Sequence, residues 1–147
     1  MSFLQSLNIS GSGLTAQRLR MDVISENIAN IDSTRTAAGG PYRRKMVVLT
    51  PMGSNNNFKD MLYNNLNASE ITGGVGISDI VEDQSDFKLA YNPEHPDADE
   101  NGYVSMPNVD SLKETVDMME AYRAYQANIT ALNATKQMAV KALEIGR

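Results

Sequence analysis

The only histidine of the chain, His95, lies between Pro93 and Pro96 in the segment NPEHPDADENG. A histidine acts as a general base only where a neighbouring group orients it and a substrate proton lies within hydrogen-bond reach. No nucleophile motif lies near His95, and the surrounding Pro, Asp, Asn and Gly residues favour turns. Because the chain has no cysteine, cysteine catalysis and thiolate metal sites are also excluded. We therefore expect His95 to be a loop residue, either exposed or locally hydrogen-bonded.

The acidic segment DADENG matches the first half of an EF-hand calcium loop. Asp97, Asp99 and Asn101 occupy ligand positions, and Gly102 occupies the turn position. A complete EF-hand also requires a bidentate glutamate at position twelve, where this chain has Asn108, and a helix on each side of the loop. The prolines before the segment oppose an entering helix. We interpret DADENG as a turn that forms its own hydrogen bonds, and the alternative is a secreted, calcium-responsive adaptor.

A short basic run consists of Arg43, Arg44 and Lys45. Such a run can contact phosphate groups, but it lies here in a segment with strand character. The chain has a net charge of −5, and residues 47–110 contain eleven acidic residues against two lysines. This charge distribution argues against a nucleic-acid partner, which requires a basic face. We interpret the run as a solvated strand face or as a salt-bridge surface for an acidic neighbour.

No metal cluster, catalytic triad or paired-carboxylate motif stands out, so we assign no catalytic, cofactor-binding or metal-binding residue. A cell-wall-cleaving enzyme is a further alternative, but it would need a catalytic acid that no motif indicates. No apolar run approaches the ~18 residues needed to span a bilayer. The N-terminal segment also lacks the basic start and continuous apolar stretch of a cleaved signal peptide. The remaining candidates for function are the helices at the two ends.

The first thirty residues have apolar side chains that recur every seven positions, which indicates an amphipathic helix with a broad apolar surface. A second row of the same period, containing Ile9, Ala16 and Val23, lies close to the first. We expect the first row and its late partners to contribute to a subunit interface. These residues are Leu7, Leu14, Met21, Ile24, Ile28 and Ile31.

Two asparagines, Asn27 and Asn30, lie one helical turn apart beside these rows. Asparagine is unfavourable inside a helix because its amide competes for backbone groups. Both side chains should face packed surface, where a buried amide needs partners. We predict that they end the helix and hydrogen-bond either a neighbouring chain or the C-terminal helix. Replacing both with leucine should leave expression intact and impair assembly.

The C-terminal segment has no proline or glycine between residues 109 and 145, so it is predicted to be one long helix capped by Asn108 or Asp110. A helix over 109–147 would reach roughly 58 Å, which is too long for so small a domain to cover. Its apolar and small-residue rows are the other predicted interface. They consist of Met118, Tyr122, Tyr125, Ile129 and Leu132, and of Ala124, Ala131 and Met138.

Between the helices, turn-forming residues separate short segments with strand character. Residues 41–52 predict one strand, residues 73–83 and 85–93 a hairpin pair, and residues 102–107 a further strand. The Asn-rich stretch 53–68 is predicted to be a loop. The sequence therefore predicts a mainly α protein whose two long helices form a coiled-coil hairpin around a small β insert. The predicted domains are residues 1–33, 34–108 and 109–147.

Four segments of the chain resemble the rod and hook proteins of the bacterial flagellum, and within that family the proximal-rod (C-type) subunits. The first is ISENIANIDSTRT, in which Asn27, Ile28, Ala29 and Asn30 match the pattern that closes the first helix. The others are GGPYRRK at 39–45, NPEHPDADENGYVSMPNVD at 92–110 and MMEAYRAYQANITALNATKQM at 118–138. Together they extend the resemblance over nearly the whole chain.

The resemblance implies a structural role without enzymatic activity or cofactor. The two helices would pair as a coiled coil and pack with copies and related rod proteins into the inner core of a hollow helical tube. The β insert would lie outside, and the tube would transmit motor torque across the periplasm. Ring and adaptor proteins of the basal body would be neighbours. Export would use the flagellar type III apparatus, without cleavage of a signal peptide.

The residues themselves support the same mechanism. Each helix carries more apolar surface than one short chain can bury, so other chains must cover the remainder. A heterologous interface repeated by a screw operation grows a filament instead of a closed ring. We therefore predict a monomer with poorly ordered ends that folds fully on assembly.

Overall fold

The computed structural model describes residues 3–37, 39–52 and 73–145. In chain order the elements are α1 (Phe3–Ala29), β1 (Lys45–Pro51), β2 (Val75–Glu82), β3 (Lys88–Tyr91), β4 (Tyr103–Met106) and α2 (Ser111–Ile145). The prediction of a mainly helical chain with a small β insert is confirmed. The predicted Asn-rich loop, 53–68, lies outside the described residues.

Helix α1 ends at Ala29 because the residues after it form a polar turn. The Asn30 side chain donates a hydrogen bond to the Glu26 carbonyl at 2.9 Å, and the Ser33 hydroxyl donates to Asn30 Oδ1 at 3.1 Å. Within the helix, a β-carbon on Gly13 would lie 3.2 Å from the side chain of Asn128 on α2. Glycine at this position therefore lets the two helices approach closely.

Helix α2 runs for 35 residues, which corresponds to a length of about 52 Å. Asp110 caps its N-terminus, because its Oδ1 accepts the backbone N–H groups of Leu112 at 3.0 Å and Lys113 at 3.4 Å. These two hydrogen bonds also lower the pKa of the Asp110 carboxyl below its usual value. Of the two predicted caps, Asp110 is confirmed, whereas Asn108 binds other partners.

The strands form two small sheets, in which β1 pairs with β2 and β3 pairs antiparallel with β4. The predicted hairpin between residues 73–83 and 85–93 is therefore wrong. Its failure has a physical cause in the chain that follows β2. The Asp83 carbonyl accepts hydrogen bonds from the Arg43 and Asn108 side chains, and its N–H donates to the Arg44 carbonyl at 2.8 Å. These contacts hold residue 83 beside β1 and prevent the chain from reversing into a hairpin.

In the β3–β4 sheet, Tyr91 lies opposite Tyr103, and their rings meet edge to face with centroids 5.3 Å apart. The connecting loop ends at Gly102, whose φ of +78° suits glycine. A β-carbon there would also lie 3.0 Å from the Tyr91 ring. Val104, on the opposite face of β4 from Tyr103, is buried. One face of this sheet therefore packs on the core and the other carries exposed aromatic rings.

The chain divides into two compact units. Unit 1 comprises residues 1–18, 49–78 and 122–147, and unit 2 comprises residues 19–48 and 79–121. In unit 1 the backbone N–H of Val75 donates to the Ser12 hydroxyl at 3.1 Å, and Ala16 is buried. Unit 2 contains most of the buried apolar side chains of the described residues, which are Val23, Ile24, Tyr42, Val104, Val109 and Ala121.

Candidate functional site

Four polar side chains lie buried together in unit 2, and we refer to them as the polar cluster: Asn27, Tyr42, Arg44 and Glu114. Glu114 is 0% exposed, Asn27 1% and Arg44 9%. Charged residues are almost never buried to this extent unless they are paired. The cluster joins α1, the segment before β1 and the first turns of α2.

Asn27 uses its full hydrogen-bonding capacity in contacts with the polar cluster and with the backbone of Lys45. Its Nδ2 donates to the Lys45 carbonyl at 2.9 Å and to Glu114 Oε2 at 3.0 Å. Its Oδ1 accepts the Lys45 N–H at 2.9 Å and the Tyr42 hydroxyl at 3.0 Å. A primary amide offers two donors and two acceptor sites, so every one is occupied. Asparagine is thus required at position 27, because its amide both donates to and accepts from the backbone of Lys45. A peptide group of a neighbouring strand would make the same pair of hydrogen bonds.

Arg44 supplies the positive charge of the cluster. Its Nε donates to Glu114 Oε1 at 2.5 Å, and its Nη2 donates to Asp117 Oδ2 at 3.0 Å. Its backbone N–H donates to Asn108 Oδ1 at 2.8 Å, which fixes the register of the segment before β1. Ion pairs in which both partners are desolvated and hydrogen-bonded hold specific geometry, and removing one partner is strongly destabilising.

The interpretation of residues 43–45 as a solvated or neighbour-binding face is wrong for Arg44, since its guanidinium is buried inside the chain. Arg43 lies with its guanidinium carbon 4.4 Å from the centre of the Phe87 ring. Lys45 forms an ion pair with Glu26 at 2.5 Å. Burial alternates along this segment, since Tyr42 and Arg44 are buried whereas Arg43 and Lys45 are partly exposed.

Tyr42 has a raised pKa, which makes the stability of the protein sensitive to alkaline pH. Burial, with smaller contributions from Glu26 and Glu114, raises this pKa from 10.0 to about 12. Above pH 10 the phenol therefore ionises in the unfolded chain while it stays neutral in the folded chain. We predict that the free energy of unfolding falls between about pH 10 and 12, by up to about 2–3 kcal/mol.

Urea unfolding of the wild type and of Tyr42→Phe across this pH range measures the effect of Tyr42 alone. The difference between the two proteins should be constant below pH 10 and should shrink toward pH 12, since phenylalanine does not titrate. Parallel curves over the whole range would contradict the prediction.

Asn27 and Asn30 have different roles in the structure. Asn27 reaches Glu114 on α2, as one of the two predicted alternatives states. Asn30 instead hydrogen-bonds the end of its own helix and Ser33. Among the other predicted interface residues, Ile24 is buried within unit 2 and so is covered by the chain itself.

The remaining predicted interface residues lie at the surface to different degrees. Those partly exposed are Leu7, Leu14, Met21, Ile28, Ile31, Met118, Ala124, Tyr125 and Leu132. Those exposed are Tyr122, Ile129, Ala131 and Met138.

Sequence reasoning missed a further apolar face on the first turns of α2. Leu112 is 77% exposed, Val116 44% and Met119 47%. Their spacing of four and three residues places them on one side of the helix. This apolar face could therefore have been recognised from the sequence. Glu114, which lies one turn before Met118 in the apolar row, was also missed, because a charged residue there looks like the end of the row.

The acidic turn is held by local hydrogen bonds. His95 Nδ1 accepts the Asp97 N–H at 3.1 Å, and the Thr34 hydroxyl donates to Asp97 Oδ2 at 2.9 Å. Within residues 3–37, 39–52 and 73–145, no group of three or more His, Asp or Glu side chains could hold a metal ion. In the same described ranges, no helix is both long enough and apolar enough to cross a membrane.

Two protein-family models match the chain. One, described as "Flagella basal body rod protein", matches residues 7–35, and the other, "Flagellar basal body rod FlgEFG protein C-terminal", matches residues 100–145. These two ranges contain Asn27 and Glu114, which belong to the polar cluster, and most of both helices.

The chain is also similar to curated proteins over its full length. It is 52% identical to the flagellar basal-body rod protein FlgC of Bacillus subtilis, with 100% of both chains covered. It is 45% identical to FlgC of Borreliella burgdorferi over 99% of this chain and 98% of the relative. It is 42% identical to FlgC of Salmonella typhimurium, again with 100% of both chains covered.

Proposed function

Because the chain belongs to the flagellar basal-body rod proteins and is a structural subunit of that rod, we propose that it packs helically with like and related subunits into the proximal rod. The rod then acts as the drive shaft that carries motor torque across the periplasm. In this role the protein is a load-carrying component and not an enzyme.

The observation that carries this proposal is the apolar surface that each unit leaves uncovered. In unit 2 it is the face formed by Leu112, Val116 and Met119. In unit 1 it consists of exposed side chains along α2, which are Tyr122, Ile129, Met138, Val140, Leu143 and Ile145. Helix faces of this kind bury their side chains against other helices. A subunit with more than one such face can contact several neighbours at once, which a helical array requires.

Different surfaces are proposed to serve different neighbours. The partly exposed positions Leu7, Leu14, Met21 and Ile28 on α1 contact copies or related rod proteins, together with the exposed row of α2. The β insert, with its exposed acidic side chains, faces away from the helical core and toward ring and adaptor proteins of the basal body. The subunit reaches the periplasm through the flagellar type III export apparatus, without cleavage of a signal peptide.

The proposal is tested by deleting the gene in its source bacterium and restoring it with a tagged wild-type copy. We expect the deletion strain to be non-motile and to lack rods, and we expect the tagged protein in purified basal bodies of the restored strain. Electron microscopy of those particles should locate the tag in the rod segment nearest the motor. Normal swimming of the deletion strain, or a tag outside the rod, would contradict the proposal.

A further inference from the structure

We propose that the polar cluster makes the pairing of α1 with α2 in unit 2 conditional on the docking of residues 42–45. The helices would then close only around this inserted segment. The inference concerns the folding of the single chain, so it goes beyond the role of the protein in the assembled rod.

Glu114 on α2 needs a partner from the inserted segment when the helices pair. Its carboxylate is 0% exposed, and each oxygen has one partner in the cluster. Oε2 accepts from Asn27 on α1, whereas Oε1 accepts from Arg44, which belongs to the inserted segment. Helix pairing without the segment would therefore bury a carboxylate with no counter-charge. Burial of an unpaired charge is strongly unfavourable.

Asn27 imposes the same condition from the other helix. Of its four hydrogen bonds, one goes to Glu114 and three go to Tyr42 and Lys45. If the helices closed without the segment, three of the four polar contacts of a 1% exposed amide would be missing. An unsatisfied buried polar group carries its full desolvation cost. Both helices thus present buried polar groups whose partners include residues 42–45.

The polar cluster also affects when α1 and α2 can pair. Purely apolar contacts between helices are non-directional, so α1 and α2 could otherwise pair before the insert is in place. Buried polar groups that must all be satisfied restrict closure to one arrangement. The cluster thereby delays formation of a complete helix pair until residues 42–45 have docked.

Hydrogen exchange on the purified full-length chain tests the proposal, read at the backbone amides of residues 19–29 and 111–121. Arg44→Met should reduce protection in both helices by about 10²–10³-fold, since Glu114 loses its counter-charge. Arg44→Met combined with Glu114→Met should restore protection to within about tenfold of the wild type, because no buried charge remains. Lys141→Met is the control, since it removes a cation from an exposed pair with Glu144 at 2.7 Å, and it should leave these amides unchanged.

The amides of residues 44 and 45 show whether helix pairing depends on the docked segment or whether the polar cluster only adds stability. If closure depends on the segment, the amides of residues 44 and 45 regain protection together with the helix amides, because Asn27 still needs Tyr42 and Lys45 in the double variant. Protected helix amides with fast exchange at residues 44 and 45 would overturn the proposal. Protection that persists in Arg44→Met would overturn the proposal. So would a double variant that exchanges as fast as the single one. The measurement uses unassembled chain, so either result is independent of whether the protein forms the rod.

Discussion

Replacing Asn27 with leucine is expected to lower the free energy of unfolding by about 3–5 kcal/mol. Leucine has a similar size but cannot hydrogen-bond. The substitution leaves the Tyr42 hydroxyl, the Lys45 N–H and C=O, and one oxygen of Glu114 without the partners they have in the native chain. Each such group costs roughly 1–3 kcal/mol when it stays buried. This loss is a large fraction of the whole stability of a small domain, about 5–15 kcal/mol.

The matched control is Asn30→Leu, one helical turn away on the same helix. Among the described residues, the Asn30 amide binds the Glu26 carbonyl and the Ser33 hydroxyl, at a helix end where water can replace it. We expect this variant to unfold within about 1 kcal/mol of the wild type. Urea titrations followed by far-UV circular dichroism measure both values. Equal destabilisation by the two substitutions would show that the buried partners of Asn27 are not the cause.

Because Asn27 and Asn30 have different contacts, the single leucine variants should behave differently from each other. A chain with leucine at both positions should fail to assemble, and we expect the loss of the Asn27 contacts to be the cause. We therefore expect the single Asn30→Leu strain to swim and the single Asn27→Leu strain to be non-motile.

The second large effect is expected from the uncovered face at the start of α2. Changing Leu112, Val116 and Met119 together to glutamine should abolish swimming and leave basal bodies without a complete rod. Glutamine keeps good helix propensity, and all three side chains are exposed in the single chain, so the monomer should unfold as the wild type does. Loss of these contacts weakens each subunit interface by about 3 kcal/mol, or roughly 100-fold in its association constant.

Its control changes three exposed polar positions of the same segment, Lys113, Thr115 and Glu120, to glutamine. These substitutions introduce the same residue type without removing apolar surface, and swimming should persist. The readouts are swimming radius in soft agar, electron microscopy of basal bodies and urea unfolding of the purified chains. A glutamine triple variant of the apolar face that swims normally would exclude that face from the interface.

Local features of this chain could be predicted from its sequence because their causes lie within a few residues. The seven-residue spacing of apolar side chains indicated both helices, and Asp110 was one of two caps proposed for α2. The segment 102–107 was predicted as a strand, and β4 lies there. Helix propensity, capping and face periodicity all depend on neighbours in the sequence.

Features that depend on distant parts of the chain could not be predicted. Arg44 and Glu114 are 70 residues apart, and the chain has 18 acidic residues from which a partner could be chosen. The run of three cations therefore looked like a surface patch, although its middle member is buried. Strand pairing was misjudged for the same reason, because Asn108 and Arg43 hold the chain after β2 from outside the predicted hairpin.

The spacing of apolar residues was enough to predict two long helices that flank a short β insert, with an apolar row on each helix. Which side chains the fold covers, such as Ile24 and Asn27, and which it leaves exposed, such as Leu112, could be read only from the packed chain. The physical reason is that periodicity defines the faces of a helix but not what packs on each face. What packs on each face depends on where the connecting segments run, and here residues 42–45 bind Asn27 on α1 and Glu114 on α2.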